Sequence, residues 1–504
     1  MTLSLHKPFF LWFVGGVFVL AGCQTSKGEH EHCRKNVLFI VADDLNCSLG
    51  CYGNSSAFTP HIDDLAKSGG KFMQAHCQYP LCGPSRTSFL TGLYPGQTGV
   101  RQNRVVLRDA LPEVTTLPQL FRQNGYKVVR VGKLFHYDNP GEIGTSGQDD
   151  NPSWDETFNP SGRDKEEEHL IHSLVEGKFG GTLSWLKSYG EDEDYTDGMV
   201  AEIAETKLQE FANSNVPFFL AVGFYRPHTP FLAPSKYFDY HPTSGIVVPD
   251  RGNDAWSRLP QPAQKSLRSH RSQLNLSLDT AKTVIQAYRA SVSYVDAQVG
   301  RVLQALSDNE LDDETIVVFL SDHGYHLGEH GHWQKQTLFE SATRVPLIVR
   351  RAKEQHPGWT AQRPVELVDL YPTIATWAGI PYDLTLPGID LFAPLDSSVG
   401  LRHGAYTEWR KGVSLRTERY RITRWGKEGA LGWEFYDHDT DSLELYNSAP
   451  EASRTPLFDS LSQILNHVAS THQIVPSAAG EVNQNAEPLP RTPPFVKYPQ
   501  LKAQ

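Results

Sequence analysis

The sequence predicts an α/β protein: a large, mainly parallel sheet sandwiched by helices, with a smaller C-terminal α+β domain carrying an antiparallel sheet. Three observations predict it. Continuous apolar runs of β-formers recur at 36–42, 127–131, 217–224, 315–321 and 344–349, as strands buried on both faces require. Helical patterns with caps and glycine stops separate them. From about residue 396, short alternating segments with turns between them replace that rhythm. A length of 504 residues fits two domains, and 39% hydrophobic with 21% charged residues is ordinary globular composition.

The first strand stops at Asp43-Asp44. Adjacent carboxylates at the carboxyl end of a central strand stand where open α/β sheets bind ligands. A hard cation bound through oxygen relieves their repulsion. Thr59-Pro60 opens a helix reaching Ser68, ended by Gly69-Gly70. Cys82-Gly83-Pro84-Ser85-Arg86 opens the next helix, with Gly92 as its stop. Cys82 is thereby set at a helix N-terminus, where free N–H groups favour an anion. Arg86, one turn in, adds a planar donor fork suited to tetrahedral oxyanions. Thr116 caps a helix through Gln123, and the strand 127–131 runs into Gly132-Lys133-Leu134-Phe135-His136.

Residues 137–195, rich in Gly, Pro, Asp and Glu, read as an insertion with long loops, and the charge run from Asp164 to Glu168 as solvated. Thr196 or Asp197 caps a helix to about Phe211. The strand 217–224 delivers Tyr225-Arg226-Pro227-His228-Thr229-Pro230, whose prolines hold His228 in place. Residues 241–275 look irregular. A long amphipathic helix over about 279–305 lines Tyr288, Val292, Val295, Val299 and Val302 along one face. The strand 315–321 ends at Asp322-His323-Gly324, and a loop with His326, His330 and His332 leads to Lys335. Those three histidines lack the helical pairing around a Glu that a zinc site of that type uses. A strand at 344–349 and a helix over 365–379 follow. The C-terminal segments at 405–409, 413–415, 420–425 and 433–436 then precede a helix over 456–472.

The chain divides into 1–22, 23–34, 35–395, 396–475 and a Pro-rich tail at 476–504, extended or disordered. Lys7, the apolar run 9–21 and Leu20-Ala21-Gly22-Cys23 read as an export signal too short for a membrane span. Leu-Ala-Gly-Cys resembles a bacterial lipobox, which implies a lipid on Cys23 and a tether at 24–34. A protein in the periplasm or at the cell surface, held to the membrane by lipid alone, is the expectation. In that oxidising setting Cys33, Cys47, Cys51 and Cys77 form disulfides or stay as buried thiols; the sequence does not choose. The net charge of -11 argues against general nucleic-acid binding.

Four strand ends thus deliver Asp43 and Asp44, Lys133 and His136, His228, and Asp322 and His323. In a parallel sheet those ends share one edge. Cys82-Gly83-Pro84-Ser85-Arg86 with Thr91-Gly92 resembles the signature of type I sulfatases, Cys-x-Pro-Ser-Arg with a downstream Thr-Gly. The likeness covers about 35–475, through Ala42-Asp43-Asp44-Leu45, Ser48-Leu49-Gly50-Cys51-Tyr52-Gly53, Val131-Gly132-Lys133, Phe135-His136, Arg226-Pro227-His228, Asp322-His323-Gly324 and Leu327-Gly328-Glu329-His330-Gly331. It is to the iduronate-2-sulfatase branch of the alkaline-phosphatase-like superfamily.

That resemblance implies a sulfuric ester hydrolase in which Cys82 is oxidised to formylglycine, whose hydrate is the nucleophile. It implies Asp43, Asp44, Asp322, His323 and modified Cys82 as the metal shell, with calcium the usual ion and magnesium the alternative. Arg86, Lys133 and Lys335 would neutralise the sulfate oxygens. His228 would protonate the leaving alcohol, and His136 would help deprotonate the second hydroxyl of the hydrate. The implied partners are a sulfated carbohydrate and a formylglycine-generating or anaerobic sulfatase-maturing enzyme. A phosphatase or phosphonate hydrolase of the same superfamily is the rival enzyme, but no second metal cluster is evident. A non-catalytic glycan-binding lipoprotein, with Trp154, Trp185, Trp333, Trp409 and Trp425 as subsites, predicts a degraded catalytic set, and every matched position is filled.

Overall fold

In the computed structural model, which describes residues 34–249, 255–354, 356–393 and 402–489, the apolar run Asn36–Ala42 is strand β1, buried from Val37 onward. The expected export signal, Cys23, the tether up to Cys33 and the end of the tail lie outside the described residues. β1 sits inside an eight-stranded sheet with β2 (Gly70–His76), β3 (Lys127–Gly132), β4 (Glu156–Phe158), β5 (Phe218–Gly223), β6 (Thr315–Ser321), β7 (Arg344–Arg350) and β8 (Trp359–Glu366). The order is β8-β2-β7-β6-β1-β5-β3-β4. Among these strands β7 alone runs against the rest, antiparallel to both β6 and β2. The carboxyl ends of β6, β1, β5 and β3, four successive neighbours, therefore share one edge.

Three strands escape the apolar-run criterion for physical reasons. β2 carries Lys71 and Gln74 on a half-buried strand, and β4 has only three residues. β8 lies at the sheet edge and contains Pro364 beside a register irregularity, a position where a strand tolerates the missing N–H. Because Val365 and Glu366 finish β8, the helix predicted over 365–379 is confined to Leu370–Trp377. Residues 137–195 are less loop-like than predicted. Besides β4 they hold Ser184–Ser188, which pairs with His172–Ser173 and Phe231–Pro234 in a separate three-stranded sheet.

Helices cover both faces: α1 (Pro60–Ser68), α2 (Cys82–Thr91), α3 (Leu117–Gln123), α4 (Thr196–Ala212), α5 (Leu278–Asp308) and α6 (Leu370–Trp377). The Thr116 hydroxyl accepts from Gln119 N and starts α3, while the Ser277 hydroxyl caps α5. Tyr288, Val292, Val295, Val299 and Val302 form the buried stripe of α5. Four of the five tryptophans considered as sugar platforms, Trp154, Trp333, Trp409 and Trp425, are buried. Cys47, Cys51 and Cys77 are free thiols; a bridge to Cys33 involves an undescribed residue.

Past residue 402, Ala405–Trp409, Gly412–Arg416, Tyr420–Trp425 and Gly432–Asp437 form an antiparallel meander, followed by a helix over Pro456–Thr471. Glu408 N donates to Gln78 O at 3.0 Å, tying this sheet to the segment before α2. Arg421, buried, donates to Glu444 and to Glu340. Burial pushes the Glu444 carboxyl up, but Arg421 and His438 outweigh it and hold it at about 2. A depressed carboxylate stabilises the fold above its unfolded value and loses that contribution as pH falls. Arg421→Ala is expected to cost about 3–5 kcal/mol and to move acid unfolding to higher pH, read by circular dichroism. The described part of the tail, 476–489, which the sequence predicts to be extended or disordered, opens with a short 3-10 turn, Ser477–Ala479, and is docked, with Ala479 buried and Asn483 N donating to Ala110 O at 2.8 Å.

Candidate active site

β1 ends at Asp43 and Asp44, both buried. Asp44 has φ 66°, a left-handed conformation that costs a non-glycine residue energy. Its surroundings impose it: Asp44 N donates to Asp322 Oδ1 at 3.1 Å, and the Tyr288 hydroxyl of α5 donates to Asp44 O at 2.9 Å. β6 ends at Asp322 and His323. Ser321 Oγ accepts from Leu45 N at 2.9 Å and donates to His323 O at 2.9 Å, so the two strand ends are laced together.

Every residue of α2 is buried, and Cys82 is its first. Gly83 allows the approach: a Cβ there would stand 2.9 Å from Asn103 Cα, and Gly83 N donates to Asn103 Oδ1 at 2.9 Å. Gly92, at φ 69°, ends the helix as predicted. His323 Nε2 lies 3.3 Å from Cys82 Sγ and 3.3 Å from Asp44 Oδ1, while its Nδ1 is 2.9 Å from Gly324 O. His323 Nδ1–H donates to the Gly324 carbonyl, which leaves Nε2 facing the cluster. The ligand atoms of Asp43, Cys82, Asp322 and His323 lie within 4.8 Å of one another, as do those of Asp44, Cys82 and His228. Carboxylate oxygens at this density fit a hard divalent cation.

Cationic side chains surround the acids. Lys133, just after β3, places Nζ 2.5 Å from Asp43 Oδ2 and 3.0 Å from Tyr137 O. Lys335 lies beyond the antiparallel pair His326–Leu327 and Trp333–Gln334, its Nζ 3.3 Å from Cys82 Sγ and bonded to Asp44. Its neighbours Gln334 and Gln336 have φ of 79° and 72°, so the loop is held strained around Lys335. Burial opposes the charge of Lys335, but Asp44, Cys82, Asp43 and Asp322 raise its pKa well above that of an ordinary lysine. Burial likewise pushes Asp43 up, and Lys133, His228, Arg86 and Lys335 overturn this and keep it ionised. Arg86 differs from the sequence expectation in its geometry. It is wholly buried, with Nε 2.9 Å from Asp322 Oδ2, Nη2 3.2 Å from Asp43 Oδ1, and Nη1 2.9 Å from the Lys133 and Leu134 carbonyls. Its fork holds the carboxylates rather than presenting a free face to an ester.

His228 arrives on the turn after β5, with Nδ1 2.7 Å from Thr229 O and Nε2 3.8 Å from Asp44 Oδ2. That turn is anchored by two acids whose roles the sequence misassigns. Asp197 does not cap α4; its carboxylate accepts from Tyr225 N and Arg226 N, each at 2.9 Å. Asp164, read as part of a solvated charge run, is buried and accepts from Thr196 N at 2.9 Å and Arg226 Nη2 at 2.7 Å. No local spacing marks either one, because both partners are far away in sequence. His136 is buried, with Nε2 3.2 Å from Asp138 Oδ1.

Residues 35–380 match the sulfatase family model, and 328–471 match that of the C-terminal region of N-sulphoglucosamine sulphohydrolase. The chain belongs to the sulfatase family. It is a sulfuric ester hydrolase of the iduronate-2-sulfatase-like branch. Mouse iduronate 2-sulfatase is 36% identical over 416 residues, covering 73% of this chain and 72% of the relative. A sulfatase of Formosa agariphila is 32% identical over 463 residues, covering 86% and 87%. The crystal structure of a phosphonate monoester hydrolase of Agrobacterium radiobacter superposes with a TM-score of 0.73 over 87% of this chain and 96% of that one. At 21% identity that likeness is one of fold. The cluster of Asp43, Asp44, Cys82, Asp322 and His323 occupies the carboxyl edge of β6-β1-β5-β3, with α2 entering it from the end of β2.

Proposed function

We propose that this sulfatase removes sulfate from sulfated sugars or polysaccharides, as an exported lipoprotein anchored through Cys23 at the periplasmic or outer face of a membrane. The observation that carries the reading is one buried edge where Asp43, Asp44 and Asp322 crowd around Cys82 with Lys133 and Lys335 beside them. The relatives named for iduronate 2-sulfate support a sulfated uronic acid as the substrate class.

Asp43, Asp44, Asp322 and His323 would hold a divalent ion, calcium by family habit, which supplies Lewis-acid stabilisation of developing oxyanions. Conversion of Cys82 to formylglycine by a maturing enzyme gives a hydrated aldehyde, with one hydroxyl to attack sulfur and a second to be deprotonated. Lys335, next to position 82, and Lys133 bind and neutralise the sulfate oxygens. Arg86 is a positioning residue that fixes Asp43 and Asp322. His228 in its imidazolium form gives the Nε2 proton to the leaving alcohol oxygen, its Nδ1–H staying on the Thr229 carbonyl. His136 accepts the proton of the second hydroxyl, which frees sulfate.

The reading is tested by sulfate release from a panel of sulfated glycans of defined linkage, run beside matched phosphate esters. The expected result is release from sulfated uronosides, with a higher kcat/KM for sulfate esters than for their phosphate counterparts. Faster hydrolysis of the phosphate series would overturn it.

A further inference from the structure

His136 is buried, and among the described residues its Nδ1 has no hydrogen-bond partner. Its Nε2 faces Asp138 Oδ1 at 3.2 Å. A carboxylate on one ring nitrogen keeps the proton there and leaves the other nitrogen as the base, the arrangement that orients histidine in hydrolases. Asp138 is poorly placed to do this unaided. Its side chain is 43% exposed, and water competes for an exposed carboxylate. Its backbone N donates to Glu142 Oε2 at 2.7 Å, which fixes the main chain and leaves the carboxylate to be held by others.

Arg104 supplies the hold, its Nη1 paired with Asp138 Oδ2. Arg104 is in turn gripped by the tail on two sides. Leu489 N donates to Arg104 O at 2.8 Å, and Arg104 Nε donates to Leu489 O at 2.9 Å. The tail is seated nearby by Asn483, whose N donates to Ala110 O at 2.8 Å and whose Nδ2 donates to Asp109 O at 3.1 Å. A segment that composition marks as a loose end is therefore wired to the site.

We infer that Asp138 and Arg104 are positioning residues for His136, and that the tail segment 483–489 completes the active site by clamping Arg104. The inference rests on His136 acting as the base that frees sulfate. Loss of the clamp leaves ester cleavage intact and slows the step that follows it.

The test uses full-length enzyme and an aryl sulfate with a chromophoric phenol, followed by stopped flow. His136→Ala serves as the reference, expected to give a burst of about one phenol per site and then slow turnover. Asp138→Asn is expected to show the same burst with kcat lowered about 10- to 100-fold and KM lowered with it, so that kcat/KM changes little. Arg104→Ala and Leu489→Pro, the latter removing the tail N–H, are each expected to lower kcat about tenfold, with thermal midpoints near that of the parent. The double variant is expected to be no worse than Arg104→Ala, since both break one chain of contacts. Arg104→Lys, which keeps the charge, is expected to restore part of the loss. A burst in His136→Ala alongside unchanged kcat in Arg104→Ala and Leu489→Pro would overturn the clamp and leave the role of His136 standing. Additive losses in the double variant, or a raised KM with kcat unchanged, would overturn it as well. No burst in His136→Ala removes the base assignment and the clamp with it.

Discussion

Cys82→Ala is expected to lower kcat by about 10⁴-fold or more on every substrate while the protein stays folded. The side chain removed is small, and α2 keeps its neighbours, so the thermal midpoint should fall by only a few degrees. The loss is chemical. As a plain thiol, Cys82 is a poor nucleophile here: burial, together with Asp43, Asp322 and Asp44, holds its proton on well above the ordinary thiol range, although Lys335 pulls the other way. A hydrated aldehyde at the same position has oxygen where sulfur was, and a second hydroxyl that a thiol lacks. Mass spectrometry of the peptide carrying residue 82 should therefore find the sulfur gone and an aldehyde in its place in active enzyme. Retention of more than about 1% of kcat in Cys82→Ala, or an unmodified thiol in fully active protein, would refute the assignment.

Much of this architecture was legible because strands buried on both faces leave a one-dimensional trace. The runs ending at Asp43, Lys133 and Asp322 need no partner to be recognised, and parallel pairing brings their ends together. Cys82 and Gly92 carry local signals of helix start and stop. What stayed hidden depends on tertiary partners. β2 and β8 are half-buried or at an edge, so their apolar pattern is diluted. Asp164 and Asp197 look like surface and cap acids until Arg226 and the turn amides are found against them. Arg86 illustrates the limit differently: its place in the sequence is informative, but only the fold reveals that Asp43 and Asp322 take up its donors.

His228→Ala should divide substrates by leaving group. Sugar sulfates, whose departing oxygen is strongly basic, are expected to lose about 10²- to 10⁴-fold in kcat, whereas activated aryl sulfates lose less than about tenfold. The distinction follows from geometry. Asp197 and Asp164 pin the turn through the amides of Tyr225 and Arg226 and the Arg226 side chain, so the imidazole is presented rather than free to swing. Nδ1 is tied to the Thr229 carbonyl, and Nε2 is the nitrogen that looks toward Asp44. Burial and Lys335 push its pKa well below the ordinary imidazole range, partly offset by Asp43, so the imidazolium is a minor form at neutral pH and a strong acid where it forms. An alkoxide needs that proton as the bond to sulfur breaks; a stabilised phenoxide leaves without it. Rates for a series of aryl and sugar sulfates, plotted against the acidity of the departing alcohol, should therefore steepen in His228→Ala relative to the parent. Parallel lines, with both classes losing the same factor, would mean that His228 binds or orients the ester and that the leaving oxygen takes its proton from elsewhere.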